Sequence, residues 1–337
     1  MADEHAFLRV IGANPDDDGP RLLYADFLEE KGDAASVAHA EFIRVQCALN
    51  AAGRSDPNLD LLKTRERDLL TEHWRSWFRP ACQALGEPLP DGPRGRAGVP
   101  RYSLRWIDST GRLGHRVDQT GGAEMPYLIT AQFRRGFLSH VALLSKSYRG
   151  ERHVARLWDR APIDGLTLMG YESPQFTKTM AAIEGGERLR SLEMGFTDDK
   201  SVKWIAGHPP FGSLRELILK GIQGREDVVD VLSQSSTLTG LRVLILEFCM
   251  TDDEGIARLC RAPFAAGLER LGLVNCQLTN ASANHLAHYW PTTCRLSYLD
   301  LGDNRLSGAG LRAVHDRFGD SLKSSSDDRS WPTRFYL

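Results

Sequence analysis

The stretch Leu241-Arg242-Val243-Leu244-Ile245-Leu246-Glu247-Phe248-Cys249 decides the fold. Leu244 and Leu246 would share one face of an extended strand, with Val243, Ile245 and Glu247 on the other. The same L-x-x-L-x-L spacing occurs at Leu189-Leu192-Met194, Leu214-Leu217-Leu219, Leu268-Leu271-Leu273 and Leu296-Leu299-Leu301. From the copy at Leu189 onward, first positions lie 25, 27, 27 and 28 residues apart. Weaker copies precede them at Ile163-Leu166-Leu168 and Leu138-Val141-Leu143, so residues 138–320 hold about seven units. A fixed period of this length means stacked supersecondary units, each too small to bury its own leucine face.

The second half of each unit has helical spacing, as in Ile256 to Leu259 and Leu311 to Val314. Thr251-Asp252-Asp253-Glu254 marks a helix start, with a hydroxyl for the N-cap and acids for the first turn. Strand plus helix at this period resembles the ribonuclease-inhibitor-like class of leucine-rich repeat. The resemblance implies an α/β solenoid, with a curved parallel sheet on the concave side and helices on the convex side. That family places Asn or Cys three residues after the last strand leucine; here the position holds Thr197, Ile222, Cys249, Cys276 and Asn304. Their side chains are expected to form a ladder under the turn, broken and locally distorted at Ile222, which has no polar group.

The residues between the leucines then form three ladders on the concave side. They run Ser191, Glu216, Val243, Arg270, Tyr298; Glu193, Ile218, Ile245, Gly272, Asp300; and Gly195, Lys220, Glu247, Val274, Gly302. The partner-binding set expected from them is Glu216, Ile218, Lys220, Val243, Ile245, Glu247, Arg270, Tyr298 and Asp300, with Val243, Ile218 and Ile245 an exposed apolar centre inside a charged rim.

Residues 1–50 predict three short helices, at Glu4–Ile11, Arg21–Lys31 and Ala38–Leu49, separated by Asn14-Pro15-Asp16-Asp17-Asp18-Gly19-Pro20 and Gly32-Asp33. The run A-F-L-R-V-I-G-A-N-P-D-D-D-G-P-R-L-L-Y-A-D-F-L-E-E-K-G-D followed by E-F-I-R-V-Q-C-A-L resembles the bacterial repeat-companion domain over residues 4–49. It departs in the spacer Ala34–Ala40, longer than usual and expected to displace the third helix, and in Phe27, where Trp is common. The resemblance implies a module beside a repeat array rather than a reaction. Asp16, Asp17, Asp18, Asp26, Glu29 and Glu30 with Arg21, Tyr24 and Arg44 could make a metal or acid-base site, and an enzyme built on this acidic module is one alternative function. The simpler reading is structural, with carboxylates capping helix starts and Arg21 or Arg44 pairing with Asp26 or Glu41.

Residues 51–137 are expected to be a connector. Leu59, Leu62, Leu69, Leu70, Trp74, Trp77 and Phe78 have helical spacing and would shield the first repeat's apolar edge. The Gly- and Pro-rich stretch after them predicts a β-hairpin, with Tyr102, Leu104 and Trp106 alternating with polar residues. Between 93 and 116 there are six Arg and one Asp. With Arg94, Arg96, Arg101, Arg105 and Trp106 as contacts, this insertion suits single-stranded nucleic acid, a second alternative function.

Across 337 residues, 42 basic against 44 acidic side chains leave no overall field for nucleic acid or anionic membrane. The longest apolar runs are a few residues, no signal peptide opens the chain, and C-x-x-C pairs are absent, so a cytoplasmic protein without membrane spans or zinc is expected. No nucleotide-binding or hydrolase motif is present, and His285 and His288 lack a third ligand. The sequence therefore predicts no catalytic residues, no metal and no cofactor. It predicts a bacterial, noncatalytic protein-interaction protein, acting as scaffold, sensor or inhibitor on an unidentified protein. Its segments are a module at 1–50, a connector at 51–137, repeats at 138–320 and a tail at 321–337.

Overall fold

The computed structural model describes residues 4–53, 55–84, 106–107, 128–144, 151–170, 173–181, 183, 186–222, 224, 227–294 and 296–323. They form a mixed α/β protein that divides into two compact units, one within Met1–Leu166 and Thr179–Glu184, the other within Thr167–Lys178 and Gly185–Trp331.

The first unit opens with α1 (Glu4–Ala13), α2 (Gly19–Lys31), α3 (Ala34–Ala51) and α4 (Leu59–Ala84). Pro20 fits the first turn of α2, and Gly32, at φ 72°, ends it in the left-handed conformation that glycine adopts most cheaply. Asp33 then caps α3 by accepting from the Ser36 amide. The spacer Ala34–Ala40 is thus the opening of α3, which is longer than the Ala38–Leu49 helix expected from the sequence. Ile11, Tyr24, Ala25, Leu28, Ile43 and Phe137 close the core of this bundle.

Next come β1 (Trp106–Ile107), β2 (Leu128–Arg134), β3 (Phe137–Leu144) and α5 (Glu151–Arg160). β2 and β3 pair antiparallel, with Arg134 opposite Phe137. The two residues between them, Arg135 and Gly136, have φ of 52° and 90°, the two-residue turn that suits strand twist. Leu138-Val141-Leu143 therefore lies in the second arm of a hairpin. A Cβ on Gly136 would stand 2.7 Å from the Ile43 Cα, so only glycine lets the turn sit on α3. Two side chains of α3 hold it there. Gln46 accepts from the Gly136 amide at 2.6 Å and donates to the buried Glu66 of α4 at 2.7 Å, while His39 Nε2 meets the Gly136 carbonyl at 2.8 Å.

After β4 (Gly165–Met169) and α6 (Ser173–Ala181), the second unit alternates β5 (Ser191–Gly195), α7 (Asp199–Gly207), β6 (Glu216–Lys220), α8 (Val228–Ser233), β7 (Val243–Glu247), α9 (Asp253–Leu259), β8 (Arg270–Val274), α10 (Asn280–Tyr289), β9 (Tyr298–Asp300), α11 (Gly308–Phe318) and β10 (Leu322–Lys323). β5 to β10 pair parallel in sequence order. Leu192, Leu217, Leu244, Leu271 and Leu299 are wholly buried, as are Val202, Ile205, Val229, Leu232, Ile256 and Leu286 of the helices. The described helices of this unit therefore pack on the leucine face.

Side-chain devices repeat with the strands. Helix starts are capped by Asp198, Asp227, Asp252, Thr279 and Ser307, each accepting from a backbone amide two or three residues on. The cap of α9 is Asp252, whereas Thr251 donates its hydroxyl to Asp227 at 2.7 Å. The expected ladder under the turn also forms. Asn304 donates to the carbonyls of Leu273, Leu301 and Gly302 and accepts from the amides of Cys276 and Leu278. Cys249 and Cys276 each point a thiol at two carbonyls, 3.4–3.5 Å away. Burial drives both thiols away from the thiolate, Cys249 up to about 11. Ile222 leaves the polar ladder, but β6 pairs fully with both neighbours, so the sheet is undistorted there.

Candidate binding face

The parallel register aligns the three ladders. Ser191, Glu216, Val243, Arg270 and Tyr298 are successive Cα partners, as are Glu193, Ile218, Ile245, Gly272 and Asp300, and then Gly195, Lys220, Glu247 and Val274. Their exposure corrects one expectation. Ile218 is 8% exposed and Ile245 5%, so the apolar centre is a shielded floor. A residue of the middle ladder has same-face neighbours on its own strand and on strands about 4.8 Å to either side, which reduces its exposure.

Two polar groupings stand on this floor. Lys220 Nζ lies 2.8 Å from Glu193 and 3.9 Å from Glu247, and Thr167 donates to the second oxygen of Glu193 at 3.1 Å. Glu193 is buried, and Lys220 is the cation that faces it. In the other grouping the Arg270 guanidinium lies 4.9 Å over the Tyr298 ring. The Tyr298 hydroxyl donates to Asp300 at 3.2 Å, and Asp300 accepts from the Gly302 amide at 2.8 Å. Burial, then the Asp300 charge, push the Tyr298 phenol above its ordinary range and keep it a donor. Glu216, Val243, Lys220, Glu247, Arg270 and Tyr298 are half-buried and form the accessible surface of the face.

The acidic residues of the first module do not converge. Arg44 bridges Asp26 and Glu29, both at 2.7 Å, and Arg65 takes Glu41. Asp18 faces Arg135, while Arg21 donates to the backbone carbonyls of Asn14 and Asp17. Asp16 and Glu30 are exposed. Tyr24 donates to Glu4 at 2.6 Å, on one side of a cavity of about 320 Å³ lined by Tyr24, His39, Trp77, Phe133 and Phe137. Burial holds His39 neutral, its pKa down to about 4. Trp77 stacks on Phe42 and His39 within this unit. Among the described residues no group of three or more His, Cys, Asp or Glu is placed to hold a metal ion, and no helix is long and apolar enough to cross a membrane.

Arg94, Arg96, Arg101 and Arg105 lie outside the described residues, as does most of the expected hairpin. Of that set only the backbone of Trp106 is described, in β1, which pairs parallel with β2.

Two recurring features escaped the sequence reading. Arg190, Arg215 and Arg242 follow the first leucine of their units and donate to the carbonyls of Ser213, Gly240 and Gly267, stitching each unit to the next. Their signal was an arginine recurring at a fixed place in the period. The other is a row of left-handed residues just past the strands, Gly170, Phe196, Gly221, Phe248, Asn275 and Asp303, signalled by Gly, Asn and Asp at that place.

No protein-family model and no curated protein matches the chain. Among solved structures, a Bacteroides fragilis protein is similar at 14% identity and TM-score 0.40, over 58% of this chain and 67% of that one. A TLR13–ssRNA13 complex is similar at 14% identity and TM-score 0.30, over 55% of this chain and 28% of that one. Likenesses this distant assign neither a family nor an activity.

Proposed function

We propose that the chain is a noncatalytic interaction protein, a leucine-rich repeat solenoid preceded by a repeat-companion module, which recognises a protein partner across the face of its sheet opposite the leucine core. The observation that carries this reading is the in-register row Glu216, Val243, Arg270 and Tyr298. Its side chains lie on the face opposite the leucine core and present charge, an aromatic ring and an aliphatic group along one line. Arg and Tyr are enriched where interfaces bind tightly. Ile218 and Ile245 serve as the floor beneath the contact, and Lys220 and Glu247 as its rim.

A photo-crosslinking residue at Val243, compared with one at the exposed Lys203 on α7, tests the face. A discrete adduct from position 243 only, lost in Arg270→Glu with Tyr298→Ala, is expected. Equal adducts from both positions, or an adduct that survives the double substitution, would refute the assignment.

A further inference from the structure

We propose that the edge where the parallel strands end docks a basic, arginine-bearing segment of a protein partner, gripped by Phe196 and Phe248. The proposal rests on the reading of the second unit as an interaction surface, but it uses a different edge and different residues from the ladder row.

The chain leaves each strand through one residue of positive φ, between 51° and 71° at Gly170, Phe196, Gly221, Phe248 and Asn275. Its amide donates to the carbonyl at or just past the end of the next strand, at 2.7–3.0 Å, from Gly170 through Asn275. The backbone therefore requires the left-handed conformation and is indifferent to the side chain. Gly and Asn take it at little cost, whereas a bulky aromatic residue is disfavoured there. Phe196 and Phe248 accept that strain and yet stay 62% and 55% exposed. Met250, two residues on from Phe248, is 67% exposed. Strain with so little return in packing is a reason to look for a binding role.

The two phenylalanines flank one rung, that of Gly221. A Cβ on Gly221 would be 3.2 Å from the Phe196 ring, so this ring leans over the glycine and Gly221 leaves it the room to do so. Two strand spacings, about 9.6 Å, separate the backbones of Phe196 and Phe248, so the two rings and Met250 stand along one edge and can be contacted together. The surrounding turns and first helical residues, 196–201, 221–222, 224, 227–229 and 248–254, carry six acidic side chains and one basic. The acids are Asp198, Asp199, Asp227, Asp252, Asp253 and Glu254, against Lys200 within these segments and Arg258 of α9, which pairs with Asp252 at 3.5 Å. Aromatic faces within an acidic rim match a planar guanidinium, which stacks on the rings and is drawn by the carboxylates, and they repel acidic peptides and nucleic acid.

The probe is a fluorescent (Arg-Ala)5 peptide titrated against the full chain at low salt, with (Lys-Ala)5 and (Glu-Ala)5 beside it. Expected are saturable binding of the Arg peptide, at least fivefold weaker binding of the Lys peptide and none of the Glu peptide. Phe196→Gly with Phe248→Gly should weaken Arg-peptide binding at least tenfold while leaving the melting temperature equal or higher, because glycine suits the backbone. Arg270→Glu with Tyr298→Ala should leave it unchanged, which separates this site from the ladder row. Unaltered affinity in the double-glycine variant, equal affinity for Lys and Arg peptides, absence of binding, or a lowered melting temperature in the glycine variant would each overturn the proposal.

Discussion

Replacing Asn304 by alanine removes the best-connected side chain of the turn ladder. Its carboxamide makes five hydrogen bonds, two accepted from the amides of Cys276 and Leu278 and three donated to strand carbonyls. Cys276 and Leu278 are buried, so their amides cannot readily turn to water. Leaving a buried donor unpaired costs roughly 1–3 kcal/mol, and a carbonyl with another partner loses less. Two stranded amides and three weakened carbonyls come to about 3 kcal/mol. Asn304→Cys keeps a weak donor for the carbonyls but strands the amides, so it should lose about 2 kcal/mol. Cys249→Ala, with two long thiol contacts and a small cavity, should lose about 1 kcal/mol. Urea unfolding gives the three values, and hydrogen exchange at Cys276 and Leu278 locates the damage. A loss below 1 kcal/mol for Asn304→Ala, or an inverted order of the three, would show that the ladder fills space rather than satisfying the backbone.

Gly136→Ala should abolish cooperative folding of the first unit by circular dichroism, since its Cβ would collide with Ile43 and its φ of 90° excludes alanine. His39 makes the first unit acid-sensitive. Burial depresses its pKa to about 4, so below its unfolded value near 6.5 the unfolded chain binds the proton first and stability falls until about pH 4. Melts from pH 7 to 4 should lose roughly 2–3 kcal/mol, less in the non-titrating His39→Gln, and an identical pH slope in both would refute the assignment. Lys220→Met should lose about 2 kcal/mol by stranding the Glu193 charge, and adding Glu193→Gln should recover most of it. Failure of that rescue in urea unfolding would mean that the pair is not coupled.

The strands, their register and their turn ladder were legible because each follows from spacing. Leu241, Leu244 and Leu246 cannot all be buried except on an extended segment, and copies 25–28 residues apart must stack. The length of α3 and the cap at Asp252 were misread, because helix ends depend on which of several adjacent polar residues wins the amide, a matter of about one turn. The hairpin at Arg135-Gly136 was missed because Leu138 and Val141 fit the leucine pattern as well as they fit a hairpin arm. Its glycine carried the signal, since Gly136 takes a positive φ where α3 allows no Cβ.

The candidate site was legible only in part, for a physical reason visible at Ile218 and Ile245. Period tells which face a side chain takes, but exposure depends on what its neighbours across the sheet close over it, and those sit 25–27 residues away in sequence. Phe196 and Phe248 show the reverse. Nothing in hydropathy separates them from core phenylalanines such as Phe211 and Phe264, which are buried. What separates them is register, two residues past the last strand leucine or methionine, where the backbone turns left-handed and the side chain is carried out of the core. A sequence reading that assigned φ from register before assigning burial from hydropathy would place both rings outside. It would then ask why bulky residues stand where Gly170 and Gly221 serve the fold at less strain.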